Sequence, residues 1–393
     1  MKIFKYVRTA ARIKAVGVLT VLVLMLSAAP AFSANITVPE LEIYTWGRNQ
    51  GSGFELATFG DIDLLLDGGY KFGGSLLFGF SNEVLETASY NDMLAFKAAR
   101  ITLRELFNIP LNFTYFIGEG DTLGSGDIFS QQFGTAPVAS AYPSYVHFPN
   151  NADVDFFSGI HTIYGTGGEI EFAPIEKNWL LSLYIYQDAS EAFTSGVAPN
   201  VLLDYGHASM DIRAAFSWET IKMEAFLGAT YPTSDSTLGY YRSGLLLYAG
   251  IKDVEFLAAA GFPLWKPTVD PFTFDLFYLL IEQRVRLGLL SEVLTVLWRP
   301  SYYHQTANTT RGIDINLDMN ISGSDTSVLA GGIEGNFVYQ LTPTDEITAK
   351  LIPYLQVATS GVVYEVRAST KIWPFDTDFS DFLELFLSIK ASF

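Results

Sequence analysis

The chain has 393 residues, no cysteine, 24 Lys and Arg against 42 Asp and Glu, 49% hydrophobic residues and a mean hydropathy of +0.24. The missing cysteines exclude a disulfide scaffold, a lipid-attachment thiol and Cys-based metal sites. The acid excess excludes nucleic acid as a partner, because phosphate binding needs clustered Lys and Arg.

Lys2, Lys5, Arg8, Arg12 and Lys14 form a basic region, followed by an apolar run from Ala15 to Leu26 and the small residues of Ser27–Ala34. This is the layout of a secretory signal peptide, with residues 1–33 removed and 34–393 left as one domain. Without the five basic residues of that segment, 19 bases face 42 acids, a net charge of −23. Beyond it, no apolar run reaches the roughly 20 residues of a spanning helix. The longest, near Phe277–Ile281 and Val293–Trp298, stop at Glu282 and Arg299. The hydrophobicity is therefore spread over many short elements.

Those elements alternate with a period of two, the signature of strands with one apolar and one polar face. In Ala208–Glu219, Met210, Ile212 and Phe216 oppose Ser209, Asp211, Arg213 and Ser217. Ile221–Tyr231 sets Met223 and Leu227 against Lys222 and Glu224, with Glu219-Thr220 as a tight connection. Val254–Phe262 follows, and Ile313–Ile321 is the clearest case, with Ile315, Leu317 and Met319 against Asp314, Asn316 and Asp318. Leu329–Tyr339, Ile347–Val357 and Val362–Ile372 continue the pattern, the last opposing Tyr364 and Val366 to Glu365, Arg367 and Lys371. Alternation blurs at Ile36–Gly47, Ala95–Leu106 and Phe274–Tyr303. About 16 strands (range about 14–18) accommodate a chain of this length at roughly 22 residues each. Trp46, Trp179, Trp218, Trp265, Trp298 and Trp373 fall at apparent strand ends, where interfacial aromatic girdles sit.

Glu119–Asp155 is a long connection rich in Gly, Pro and Asn, which break strands. A loop of that length folds into a lumen as a constriction, covers a mouth, or stands free. Glu119, Asp121 and Asp127 lack the ordered spacing of a Ca²⁺ loop and read as solvated acids.

The final segment, Leu383–Phe393, alternates Leu383, Leu385, Leu387, Ile389 and Ala391 with Glu384, Phe386, Ser388, Lys390 and Ser392, and stops on an aromatic carboxyl terminus. In this it resembles the last strand of bacterial outer-membrane β-barrels of the porin-like superfamily. Phe113–Gly134, with its Gly-Glu-Gly-Asp and Gly-Asp-Ile-Phe elements, is similar to spirochaetal outer-membrane proteins. The resemblance implies residence in the outer membrane of a Gram-negative-type envelope, contact with its lipid, and recognition of Leu385, Leu387, Ile389, Ala391 and Phe393 by the barrel-assembly machinery.

The expected fold is thus all-β, a closed antiparallel transmembrane β-barrel, because no strand edge can stay unpaired in lipid. Asp211, Arg213, Glu224, Asp314, Asp318, Glu365, Arg367 and Lys371 are the candidate lumen-lining residues. His161-Thr162 and His207/Ser209 place a base near a hydroxyl, but adjacent strand residues point to opposite faces and no carboxylate orients either His. Neither an enzyme nor a cofactor or metal site is expected. The leading function is passive diffusion of small hydrophilic solutes with a preference for cations, since about 16 strands leave an aqueous channel. The alternatives are a transporter of lipid or other hydrophobic substrates, suggested by Phe226, Tyr354 and Phe386 on polar faces, and a plugged barrel acting as adhesin or anchor. The solute and the oligomeric state are not encoded legibly.

Overall fold

A computed structural model describes residues 35–50, 53–81, 94–136, 138–141, 159–174, 178–188, 207–232, 239–265, 267, 272–299, 312–322, 329–341, 345–359, 361–375 and 383–392. The expected leader at 1–33, residues 142–155 of the expected long connection and Phe393 lie outside them.

Eighteen strands make one sheet among these residues. They are β1 (Asn35–Gln50), β2 (Gly53–Asp67), β3 (Phe72–Ser81), β4 (Leu94–Leu103), β5 (Leu111–Leu123) and β6 (His161–Phe172). Next come β7 (Trp179–Asp188), β8 (His207–Ser217), β9 (Ile221–Pro232), β10 (Tyr240–Ile251), β11 (Val254–Trp265) and β12 (Tyr278–Leu287). The series ends with β13 (Leu290–Arg299), β14 (Gly312–Ser322), β15 (Leu329–Gln340), β16 (Glu346–Thr359), β17 (Val362–Trp373) and β18 (Leu383–Ser392). Each strand pairs antiparallel with its sequence neighbours, and β1 pairs with β18 from Glu40↔Ser392 to Arg48↔Glu384. That last ladder closes the barrel and removes the edges.

The expectation of 16 strands is corrected to 18. The miscount lies in the segments where alternation blurs: Ile36–Gly47 is the long β1, Ala95–Leu106 is β4, and Phe274–Tyr303 holds both β12 and β13 joined by the turn Gly288-Leu289. Gly288 takes φ +66, a left-handed value that glycine adopts without strain, so two greasy strands meet with no polar run to announce the boundary.

Most connections sort by end. Those at 68–71, 218–220, 252–253, 288–289 and 360–361 are short and share one end with both termini of the barrel; those at 82–93, 124–160, 189–206, 266–277 and 300–311 are long and share the other, where 51–52 and 341–345 are short exceptions. Outer-membrane barrels show this asymmetry, with long loops outside and short turns inside. Trp179 and Trp218 sit at the short-turn end, while Trp265, Trp298 and Trp373 sit at the long-connection end. At that second end Trp265 meets Phe272 with ring centroids 5.0 Å apart, and Phe274 lies 5.3 Å from Trp298.

The two faces of the sheet differ as the alternation demands. Met210 and Ile212 of β8, Leu227 of β9, Ile315, Leu317, Met319 and Ile321 of β14, and Val366 of β17 are exposed. A surface so densely apolar suits hydrocarbon rather than water. Among the described residues no helix is long and apolar enough to cross a membrane.

Candidate functional site: the inner wall and its insert

β5 runs through Leu123, which corrects the loop boundary: Glu119 and Asp121 belong to a strand. The chain then turns inward. Gly126 adopts φ +86, and a Cβ there would stand 2.0 Å from the Val138 carbonyl oxygen, so only glycine lets the two legs of the insert approach. Between them, α1 (Asp127–Phe133) presents Ile128 and Phe129, both buried, to the barrel wall. With Leu123 and Val138 they join one apolar cluster that includes Tyr184, Phe226, Leu246, Leu257, Leu280 and Leu297. Phe226, an aromatic on a polar face, is explained by this packing.

Two carboxylates from the wall pin the insert. Glu224 of β9 accepts the backbone N–H of Gly124 at 2.8 Å and of Gly126 at 3.4 Å. Glu282 of β12 accepts the Ser140 hydroxyl at 2.6 Å and the Ala141 N–H at 3.0 Å. Each acid is neutralised in turn: the Arg213 guanidinium lies 2.8 Å from Glu224, and the Arg284 guanidinium 2.5 Å from Glu282. Arg284 also donates to the Ala139 carbonyl. A buried carboxylate that accepts N–H bonds and faces a guanidinium holds its position firmly, since losing any partner leaves charge in a low-dielectric site.

Around these pins runs a larger network. Asp121 accepts from Arg100 at 2.5 Å and from the Tyr184 hydroxyl at 2.8 Å, and lies 3.4 Å from Arg213. It is a shared counter-ion rather than a solvated acid. Asp211 receives Arg242 in a fork at 2.7 and 2.6 Å and the Tyr186 hydroxyl at 2.8 Å. A Cβ at Gly228, across the ladder from Asp211, would come within 1.7 Å of the Asp211 carboxylate, so glycine makes room for the fork. Asp188 accepts from Ser209 at 2.6 Å and Thr230 at 3.0 Å.

The structure brings Asp211, Arg213 and Glu224 together on the β8–β9 wall, with the insert above them. Asp314, Asp318, Glu365 and Arg367 form a second group on the inner face of β14–β17, all buried. Arg367 forks to Glu365 at 2.5 Å and to Glu334 at 2.7 Å, and its guanidinium carbon stacks 4.6 Å from the Tyr354 ring. The Tyr354 hydroxyl donates to Asp318 at 3.1 Å. Lys371 is half-buried nearer the long-connection end, opposite Lys350. Leu385 and Leu387 are exposed, Ile389 is half-buried and Ala391 is buried, paired across to Leu41 of β1; Phe386 points the other way and is buried.

Reading the sequence alone missed Asp121, Asp188, Arg242, Glu282 and Glu334. Arg242 had a signal, a charged residue flanked by aromatics and glycine in Tyr240–Ile251, but that strand alternates poorly. Among the described residues no group of three or more His, Asp or Glu is arranged to hold a metal. His161 and Thr162 are neighbours on β6 and share no site; Thr162 instead faces the Thr122 hydroxyl at 3.1 Å.

Known proteins place the architecture. The chain is similar to Wzi, described as an outer-membrane protein involved in group 1 capsule assembly in Escherichia coli and a carbohydrate-binding β-barrel, with TM-score 0.52, 10% identity, and coverage of 91% of this chain and 85% of Wzi. The fold is that of the outer-membrane β-barrels. Engineered porins of Rh. blastica align with TM-score 0.48 and 11% identity over 91% of this chain and their whole length. No protein family and no curated protein matches the sequence.

Proposed function

We propose that the chain resides in an outer membrane as a channel for small hydrophilic solutes, narrowed by the 124–141 insert and preferring cations. The observation that carries this reading is the charge of the inner wall. Among the described residues ten acids are buried against four bases, Arg213, Lys222, Arg242 and Arg367. Walls of low dielectric focus such a field on the passing solute. The apolar outer rows and the split between long and short connections support membrane residence. The exposed Leu385 and Leu387 of β18 support recognition of that strand by the assembly machinery.

Planar bilayers test the reading. The folded barrel is expected to conduct, with a reversal potential in a KCl gradient that reports cation preference and relaxes at high salt, where screening shortens to about 3 Å near 1 M. Deleting residues 127–139 is expected to enlarge the conductance. Anion selectivity would refute the assignment of the lining charges.

One observation favours a second reading. Ile128, Phe129 and Val138 of the insert are essentially fully buried, which suits a fixed plug as well as a constriction. A folded barrel that never conducts, and begins to conduct on deletion of 127–139, would establish the plug.

A further inference from the structure

The β14–β17 wall carries charge that the described part of the insert does not use. No residue of these four strands belongs to the apolar cluster around the insert. Asp318 and Glu334 stand directly opposite one another across the β14–β15 ladder, and Asn316 pairs with Asn336 one step further along the same face. Three of these four, Asn316, Asp318 and Glu334, are more than nine-tenths buried. Their hydrogen bonds are incomplete. Glu334 uses one carboxylate oxygen on Arg367, and Asp318 one on Tyr354, while Glu334 Oε1, Asp318 Oδ1 and Asn316 Nδ2 have no partner among the described residues. A buried polar atom left unpaired costs on the order of 1–3 kcal/mol, more for an ionised group. Three of them on adjacent positions mark a place built to complete its bonds with something else.

The chemistry of that occupant follows from the groups on the wall. The open atoms are two carboxylate oxygens, which accept, and one amide nitrogen, which donates. Asp314, Asp318, Glu334 and Glu365 outnumber Arg367 together with Lys350 and Lys371, which follow Asn336 across the ladders, so the field favours positive charge. The carboxylates are not gathered into a chelating set, so a bare metal ion is a poor fit. Arg367 shows what the patch accepts: a planar cation stacked on Tyr354 and bonded to two carboxylates.

We propose that the inner patch around Asp318 and Glu334 is a binding site for organic cations that carry ammonium or guanidinium groups. Such a group bridges the two carboxylates across the ladder, bonding the open Glu334 Oε1 and Asp318 Oδ1. This deepens the channel reading by naming a solute class and rests on the same inner wall, but binding does not require conduction.

Calorimetry on the full-length folded barrel in detergent tests it, with agmatine as probe because it bears both groups. Saturable binding at one site per chain is expected, weakened about tenfold by Asp318→Asn or Glu334→Gln alone, as for a lost charge-assisted hydrogen bond. Glu292→Gln, an acid on the outer face, is expected to leave affinity unchanged. Heat-modifiable gel mobility confirms that each variant folds. Absence of agmatine binding, or equal affinity in all variants, overturns the site. Sucrose binding lost in the same variants without agmatine binding would make it a polyol site, and CaCl₂ binding with that pattern a metal site; either result overturns the proposal. A barrel that binds agmatine but never conducts would retain the site and lose the channel, whereas conduction without binding would do the reverse.

Discussion

The inner walls of β8–β12 and β14–β17 both set arginines among carboxylates, yet they solve the burial of charge differently. On β8–β12 the acids have two kinds of partner, a guanidinium from the wall and backbone N–H groups from the insert. Glu224 and Glu282 therefore join the insert to the barrel while adding to the acid excess of the wall. On β14–β17 Arg367 serves two carboxylates and, among the described residues, no inserted backbone reaches them, so acceptors remain open. The same residue types make a fastening where a loop folds over them and a receptive surface where none does.

The comparison breaks most sharply at Glu224. Glu224→Ala strips Arg213 of its closest acid and releases the N–H groups of Gly124 and Gly126, an expected loss of about 3–5 kcal/mol in unfolding stability. Urea titration of the folded barrel, followed by tryptophan fluorescence, reads it. Phe129→Ala empties the apolar side of the same fastening, at a cost of about 3–5 kcal/mol at most and less where the insert collapses into the cavity. Protease access to 124–141 is expected to rise in both variants and not in Glu334→Gln. An equal rise in that third variant would erase the distinction between the walls.

Leu317→Arg addresses the opposite face of β14 and is expected to cost about 2–4 kcal/mol if the site lies near the bilayer midplane. Asp318→Asn, one residue along, removes a charge without burying one and is expected to cost less. Folding yields into lipid vesicles compare them directly, and equal yields would mean that the two faces are misassigned. The smallest effect is expected at the Lys97–Asp61 pair, 2.5 Å apart but with both side chains more than a third exposed. Asp61→Asn is expected to change stability by less than about 1 kcal/mol, as for other exposed pairs. Urea midpoints check this, and a larger change would show that water is excluded from that side of the barrel too.

The sequence by itself determined which residues share a face. A period of two is a local property of extended backbone, so Asp314 and Asp318 separate from Ile315 and Leu317 with no knowledge of the fold. The terminal alternation from Leu383 onward is legible for the same reason. Strand number was less secure, because the turn at Gly288-Leu289 joins two apolar strands without a polar break and β1 hides its pattern behind Gly47, Arg48 and Asn49.

Only the tertiary structure decided what the polar faces meet. Glu224 and Glu282 lie far along the chain from Gly124 and Ser140, and nothing local marks them as the partners of that segment. The fork of Arg242 on Asp211 depends on the ladder register and on the space left at Gly228. Whether a buried carboxylate is saturated or open is settled by groups that arrive from elsewhere in the chain, since hydrogen bonding and charge pairing act through space while the alternation that exposes a face acts through the backbone.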